Sequence, residues 1–211
     1  MIRAYKNYLN GRYYFSNPMK IAILLAIWVI SGFLGFVYES VFYFANSGFQ
    51  TFFWRTGTFG PWIESYSIIA IILLLVLYRI RKMPWFVFLI GTVGGTLLKF
   101  LAGLGLYYFC NGTRAWNYNL EILNFGNIGG FVCLRTLIEF AVITVLTMYV
   151  VAPLVCMWAR SVQGDSFQKV WYIIGAVSII DILYNDVISP LTSLPGAYNV
   201  YTLIGLKFMT F

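Results

Sequence analysis

The feature that most constrains the fold is a series of long apolar runs. They extend over about residues 21–44, 62–78, 84–110, 127–158 and 170–188. Each run reaches the roughly 17 to 25 residues that a helix needs to cross a hydrocarbon core. The chain is 61% hydrophobic and 10% charged, whereas soluble domains carry about 25% charged residues. The sequence therefore predicts one all-helical, polytopic transmembrane bundle with five spans, over residues 21–188.

The two ends of the chain differ from this bundle. Residues 1–20 are basic and are expected to form a cytoplasmic interfacial segment. Residues 189–211 contain Pro190, Pro195 and Gly196, followed by only a short amphipathic stretch. That stretch is shorter than a span requires, so the tail is predicted to be re-entrant or interfacial, with a sixth span as the alternative. The fourth run is longer than a span and should tilt, protrude or kink near Pro153.

The distribution of basic residues predicts the orientation. With five spans, nine cations fall on one side and three on the other, and the side with more Lys and Arg is normally cytoplasmic. The N-terminus is therefore expected in the cytoplasm, with the chain in the plasma (inner) membrane. The larger set is Arg3, Lys6, Arg12, Lys20, Arg79, Arg81, Lys82, Arg160 and Lys169; the smaller is Arg55, Arg114 and Lys207.

Ionisable residues also lie inside the apolar runs, and the predicted orientation places them in the outer half of the membrane. A charge exposed to lipid there costs roughly 2.5 to 3.5 kcal/mol, so these side chains should face one another or water. The sequence thus predicts an outward-facing polar cavity. The residues concerned are Glu39, Glu64, Lys99, Arg135, Glu139, Asp181 and Asp186.

Helical spacing supports this interpretation. Gly91, Gly95 and Lys99 repeat every four residues, which places a small-residue stripe and the lysine on one helix face. Arg135 with Glu139, and Asp181 with Asn185, also stand four apart on their helices. Each charge has a structural alternative: Arg135 and Glu139 can form an ion pair, and Glu39 can neutralise Lys99. Asp181 has no cation in its own helix, which favours a functional role.

Several short motifs resemble a known family. They are Gly32-Phe33-Leu34-Gly35 with Tyr38-Glu39-Ser40, Gly60-Pro61 with Tyr66, Trp116-Asn117-Tyr118, and Asn127 with Gly130 and Val132-Cys133-Leu134. Together, over roughly residues 30–140, they are similar to the type IV ABC-transporter permeases, a family of bacterial multi-pass membrane proteins. The resemblance implies functional importance for Glu39, Tyr66, Trp116, Tyr118, Asn127 and Gly130.

The chain departs from the pattern of that family at four positions. An acidic residue is expected where Lys99 stands, aspartate at Asn117, proline at Glu64 and glycine at Ser67. These differences change the charge of the predicted cavity. An activity that depends on those carboxylates would therefore be altered in this chain.

The leading functional hypothesis is a small permease-like transporter or flippase component that holds a solute or a lipid head group. Its expected partners are membrane lipids and either a separate ATPase subunit or a second copy of the chain, because the sequence has no G-x-x-x-x-G-K-[ST] loop. The expected substrate-binding residues are Glu39, Tyr66, Lys99, Trp116, Tyr118, Asn127, Arg135, Glu139, Asp181 and Asn185.

Two other functions remain open: an intramembrane enzyme that acts on a lipid-linked substrate, with no identified catalytic residue, and a non-catalytic membrane partner subunit. The chain has no histidine and three cysteines, so neither a histidine-zinc site nor a cofactor is expected. The net charge of +7 is attributed to cytoplasmic loops, and no nucleic acid is expected as a partner.

Overall fold

A computed structural model describes residues 2–11, 13–109, 112, 116–120, 123–162 and 164–208. Arg12 and Arg114, two of the cations used to predict the orientation, lie outside the described residues. The regular elements of the described chain are helices, apart from a two-residue parallel pairing of β1 (Phe53–Trp54) with β2 (Lys207–Phe208). The predicted all-helical class is confirmed.

The helices follow the apolar runs closely. In the first half of the chain they are α1 (Ile2–Leu9), α2 (Asn17–Asn46), α3 (Glu64–Leu77) with a 3₁₀ turn at Tyr78–Ile80, α4 (Pro84–Leu89) and α5 (Gly95–Phe109). In the second half they are α6 (Leu134–Leu146), α7 (Ala152–Ser161), α8 (Gly164–Leu183), α9 (Ser189–Thr192) and α10 (Ala197–Leu203).

Among the described residues, four continuous helices are long and apolar enough to cross a membrane: Asn17–Asn46, Pro84–Phe109, Leu134–Ser161 and Asp165–Thr192. The predicted second span is different, because α3 has only 14 residues before its 3₁₀ turn. At 1.5 Å per residue it covers about 21 Å, against roughly 30 Å of hydrocarbon. The predicted count of five or six spans therefore stays a prediction, and the structure supports four candidates.

A π-helical turn interrupts three of these four helices, at Ile90–Gly94, Thr147–Val151 and Tyr184–Ile188. The second of these turns ends two residues before Pro153. Proline has no N–H and its ring clashes with the carbonyl four residues earlier, which a wider turn accommodates. The irregularity expected near Pro153 is thus present as a change of helical pitch.

The helix of the fourth apolar run, α6, begins later than the run suggested. Residues 127–133 form a tight turn, in which Ile128 and Val132 make an isolated bridge, and α6 starts at Leu134. Gly129 and Gly130 have φ angles of 60° and 81°, a left-handed conformation that stops a helix. Hydropathy could not reveal this boundary because the turn itself is apolar.

The structure divides into two compact units. The first comprises residues 1–71 and 151–211, and the second comprises residues 72–150. In the first unit α2 packs along α8, where Leu25 contacts Gly175. A polar chain crosses the same region: Trp28 Nε1 donates to Ser178 Oγ (3.2 Å), and Ser67 Oγ donates to the Trp28 carbonyl (2.8 Å). Satisfied polar groups of this kind fix how apolar helices pack.

In the second unit the glycine stripe forms the contact between the second and third of the four candidate spans, which begin at Pro84 and Leu134. Gly91 lies against Thr144, and Gly95 lies against the ring of Phe140. Thr144 and Phe140 are four residues apart on α6, as Gly91 and Gly95 are on their helix. The two pairs therefore lie side by side along the contact. Without glycine the helix backbones could not approach so closely.

We expect Gly95→Ala to destabilise the protein by about 1 to 3 kcal/mol, because the new methyl group would collide with the Phe140 ring. Gly105→Ala on the same helix is the matched control, since a methyl group there meets no atom within 4 Å. Thermal unfolding of both variants in detergent measures the difference. Equal stability of the two would show that this packing is not tight.

Candidate binding site

The second unit surrounds Lys99 with aromatic side chains. Lys99 projects from α5, and its Nζ donates a hydrogen bond to the Tyr118 hydroxyl (2.6 Å). The same nitrogen lies 5.0 Å from the centre of the Tyr118 ring and 5.5 Å from that of Trp116, within range for cation–π contacts. No carboxylate of the described residues pairs with Lys99. Within the described part of the chain, neutral groups alone hold the lysine.

A second cation, Arg135, also lies near the Tyr118 ring. The Arg135 guanidinium carbon is 5.7 Å from the centre of that ring, and Arg135 Nε donates to Glu139 Oε1 (2.8 Å). Both members of this ion pair are about nine-tenths buried. The ion pair that the i,i+4 spacing indicated is therefore present. Glu139 balances one of the two cations, so the described cluster of Lys99, Arg135 and Glu139 carries one net positive charge.

The loop that carries Trp116 and Tyr118 is built by the Asn127 and Gly130 motif. Asn127 Oδ1 accepts a hydrogen bond from the Gly130 N–H (2.8 Å), and the Gly130 carbonyl accepts one from the Tyr118 N–H (2.9 Å). Gly130 has a φ of 81°, a backbone angle that residues other than glycine rarely adopt. Trp116 Nε1 is fixed separately by the Phe131 carbonyl (2.8 Å). The motif thus places two aromatic rings beside Lys99.

Asn127 has a second contact in the same loop. Its Nδ2 donates to Asn119 Oδ1 (2.7 Å), so both ends of its amide are occupied by protein atoms. This gives Asn127 a positioning role in the structure. Its predicted role as a direct ligand stays a prediction.

In the first unit Glu39 has two partners. Tyr66 OH donates to Glu39 Oε1 (2.8 Å), and Arg55 Nη2 stands 3.4 Å from Oε2. Arg55 also lies over the ring of Tyr43, 4.0 Å from its centre. From the sequence, Lys99 was the expected cation for Glu39. In the structure the partner is Arg55, which the sequence analysis had placed only in an outer loop. Its position 16 residues after Glu39, on the same predicted side of the membrane, was the available signal.

Asp181 is held by backbone amides. Its two oxygens accept hydrogen bonds from the consecutive N–H groups of Phe59 (3.0 Å) and Gly60 (2.7 Å), and Asn185 Nδ2 donates to Oδ1 (2.8 Å). Hydrogen bonds to an ionised carboxylate are among the strongest in proteins. No cation of the described chain forms a salt bridge with Asp181. Asp181 therefore anchors the loop before α3.

Asn185 extends this anchor to the tail. Its Oδ1 accepts a hydrogen bond from the N–H of Ala197, the first residue of α10. From the same helix, the Tyr201 hydroxyl donates to the Phe59 carbonyl. Burial, and secondly the Asp181 carboxylate, raise the pKa of Tyr201, which keeps its donating proton in place. The loop and the tail thus share one hydrogen-bond network.

The predicted site residues fall into separate groups. Lys99, Trp116, Tyr118, Arg135 and Glu139 meet in the second unit, with Asn127 beneath their loop. Glu39 with Tyr66, and Asp181 with Asn185, form two pairs in the first unit. A single cavity shared by all of them stays a prediction. Within the part of the chain that is described, no three Cys, Asp or Glu side chains are grouped as metal ligands.

Comparison with known proteins adds the family. A family model described as "Putative ABC-transporter type IV" matches residues 26–185, more than half of the chain. The chain belongs to this family. The match confirms the resemblance found in the short motifs and, with the apolar helices, supports a membrane protein related to transporters. Searches among curated proteins and among solved structures gave no match.

We expect Asp181→Asn to lower the free energy of unfolding of this family member by about 1.5 to 3 kcal/mol, because an amide NH₂ would face one of the two backbone donors. Asp165→Asn, at an exposed position in the first turn of α8, is the matched control and should cost less than about 1 kcal/mol. Thermal unfolding in detergent separates the two. A fully stable Asp181→Asn variant would mean that the anchor does not hold the loop.

Proposed function

We propose that the chain is the membrane-embedded component of a transporter or flippase, with a binding site for a solute or a lipid head group around Lys99. The observation that carries this proposal is a half-buried lysine between two aromatic rings, with no carboxylate partner among the described residues. In a membrane protein such a charge is expensive unless something compensates for it. Binding of an external group supplies that compensation.

Three of the predicted cavity carboxylates support a division of roles. Glu39 is paired with Arg55, Glu139 with Arg135, and Asp181 with backbone amides. Since each of these carboxylates already has a partner in the protein, they are better suited to hold the structure than to act as a general acid or base. This favours a transporter over an intramembrane enzyme that acts on a lipid-linked substrate. Lys99, Trp116 and Tyr118 are the residues that we assign to the ligand.

We propose the predicted topology for this function. The N-terminus lies in the cytoplasm, the cations of residues 79–82 lie on the same side, and Lys99 lies in the outer half of the inner membrane. The excess of Lys and Arg on one set of loops supports this orientation. Residues 21–188 form the bundle, with five spans if α3 also crosses, and the tail lies at the interface.

Energy must come from another subunit in this proposal, because the sequence has no nucleotide-binding loop of the Walker type. We expect the tagged chain, cross-linked and captured from its native membrane, to bring with it a subunit containing G-x-x-x-x-G-K-[ST] and vanadate-sensitive ATP hydrolysis. An unrelated multi-pass protein captured in parallel is the control. Capture without such a subunit would contradict the ABC-transporter role.

The binding site is tested by transport. In proteoliposomes with the captured complex and acyl-labelled fluorescent phospholipids, we expect ATP to change the fraction of label that dithionite can reach. Lys99→Met should slow this movement at least about tenfold, since the loss of one compensated charge is worth well over 1.4 kcal/mol. The initial rate of quenching is the measurement.

Lys82→Met is the matched control, because Lys82 is exposed in the same unit at the turn before α4 and should tolerate the same chemical change. No movement of any labelled lipid by the wild-type complex would reject the flippase form of the proposal. Equal rates for the wild type and Lys99→Met would show that Lys99 is not part of the transport site.

A further inference from the structure

We propose that the group bound at Lys99 is the phosphate of an anionic phospholipid head group. This inference names the ligand of the site in the proposed function and rests on that site. It depends on three properties of the described cluster: its net charge, its unused hydrogen-bond donors and its position beside apolar surface.

The charge of the cluster selects an anion. Lys99 and Arg135 both lie near Tyr118, and within the described part of the chain Glu139 is the carboxylate that pairs with one of these two cations. A cationic or zwitterionic ligand would leave the excess positive charge in place. A ligand with one net negative charge would cancel it, and basic pockets between membrane helices bind phosphate head groups for this reason.

The donors suit a phosphate. Lys99 carries three N–H donors and uses one of them on Tyr118. The Tyr118 hydroxyl accepts that bond, and among the described residues no acceptor takes its proton. Lys99 is half-buried and keeps two donors for an external oxyanion, and Tyr118, which is only 5% exposed, keeps a hydroxyl proton beside them. Phosphate offers several acceptor oxygens, so it can receive both hydrogen bonds at once.

The surroundings favour a lipid over free phosphate. On α5, Leu98 precedes Lys99 directly and is 59% exposed, whereas Leu97 and Leu101 stand two residues from Lys99, towards the other face of the helix, and are 54% and 52% exposed. In a membrane protein, exposed leucines on a spanning helix contact acyl chains. A lipid whose head group reaches Lys99 would thus have the exposed apolar surface of this helix beside its tails. A dissolved phosphate ion would gain nothing from that surface.

Native mass spectrometry of the purified full-length chain tests this, with phosphatidylglycerol, phosphatidylcholine and inorganic phosphate as the three probes. We expect phosphatidylglycerol to bind at least about tenfold more tightly than phosphatidylcholine, since only the former carries net negative charge. Inorganic phosphate at matched concentration should displace little of it. Equal binding of the two lipids would overturn the inference, and full displacement by phosphate would replace the lipid with the free ion.

Two variants locate the binding. Lys99→Met should remove the preference for phosphatidylglycerol, whereas Lys82→Met should keep it. Tyr118→Phe retains the aromatic ring and removes one donor, so it should weaken the preference severalfold and provides a second test if Lys99→Met does not fold. A preference unchanged in both Lys99→Met and Tyr118→Phe would place the lipid elsewhere and reject the proposed site.

The outcome can be separated from that of the proposed function. Selective binding that depends on Lys99, together with no ATP-driven lipid movement, would uphold the phosphate site and reject transport. Movement that depends on Lys99 without preference for the anionic lipid would uphold transport and reject the phosphate assignment.

Discussion

The organisation of this protein depends on how a charge is stabilised inside a membrane. Hydrocarbon does not solvate an ion, so every charged side chain in a span needs a partner from the protein or from a ligand. The chain uses three solutions. Glu39 and Glu139 have arginine partners, Asp181 has backbone amides, and Lys99 has aromatic rings and a hydroxyl. Neither Asp181 nor Lys99 has a counter-charge among the described residues, but Asp181 accepts hydrogen bonds from two backbone amides and the Asn185 amide, whereas Lys99 has one hydroxyl and two aromatic rings. This weaker compensation distinguishes Lys99 from the other three.

The contacts of Asp181 show why a deep charge is not by itself evidence of a binding site. A carboxylate that accepts two consecutive backbone N–H groups stabilises a loop that could not otherwise satisfy its own donors. Through Asn185 the same network reaches the first residue of α10, and through Tyr201 it returns to the loop. Asp181 and Asn185, four residues apart, therefore join two segments that are distant in sequence. Their shared helix face serves this connection.

The family motif of Asn127 and Gly130 has a physical explanation. Asn127 Oδ1 accepts a hydrogen bond from the Gly130 N–H and so closes a turn, and the positive φ angle at position 130 favours glycine. The Gly130 carbonyl then accepts a hydrogen bond from the backbone N–H of Tyr118. The motif thus determines where the rings of Trp116 and Tyr118 stand beside Lys99. The glycine stripe of Gly91 and Gly95 acts in a similar way, because it brings α6, and with it Arg135, close to the helix of Lys99.

The sequence alone determined the properties that depend on composition and local spacing: the membrane class, the positions of the long helices, the Arg135–Glu139 pair and the family. It could not determine contacts between residues far apart in the chain. Arg55 as the partner of Glu39, and the amides of Phe59 and Gly60 as the partners of Asp181, depend on how loops return to helix ends, for which hydropathy has no periodic signal. The start of α6 was also missed, since two left-handed glycines near the beginning of an apolar run delay the helix without changing the hydropathy of the run. Tertiary structure decided which charges are compensated, because compensation is a matter of distance in space and not of position in sequence.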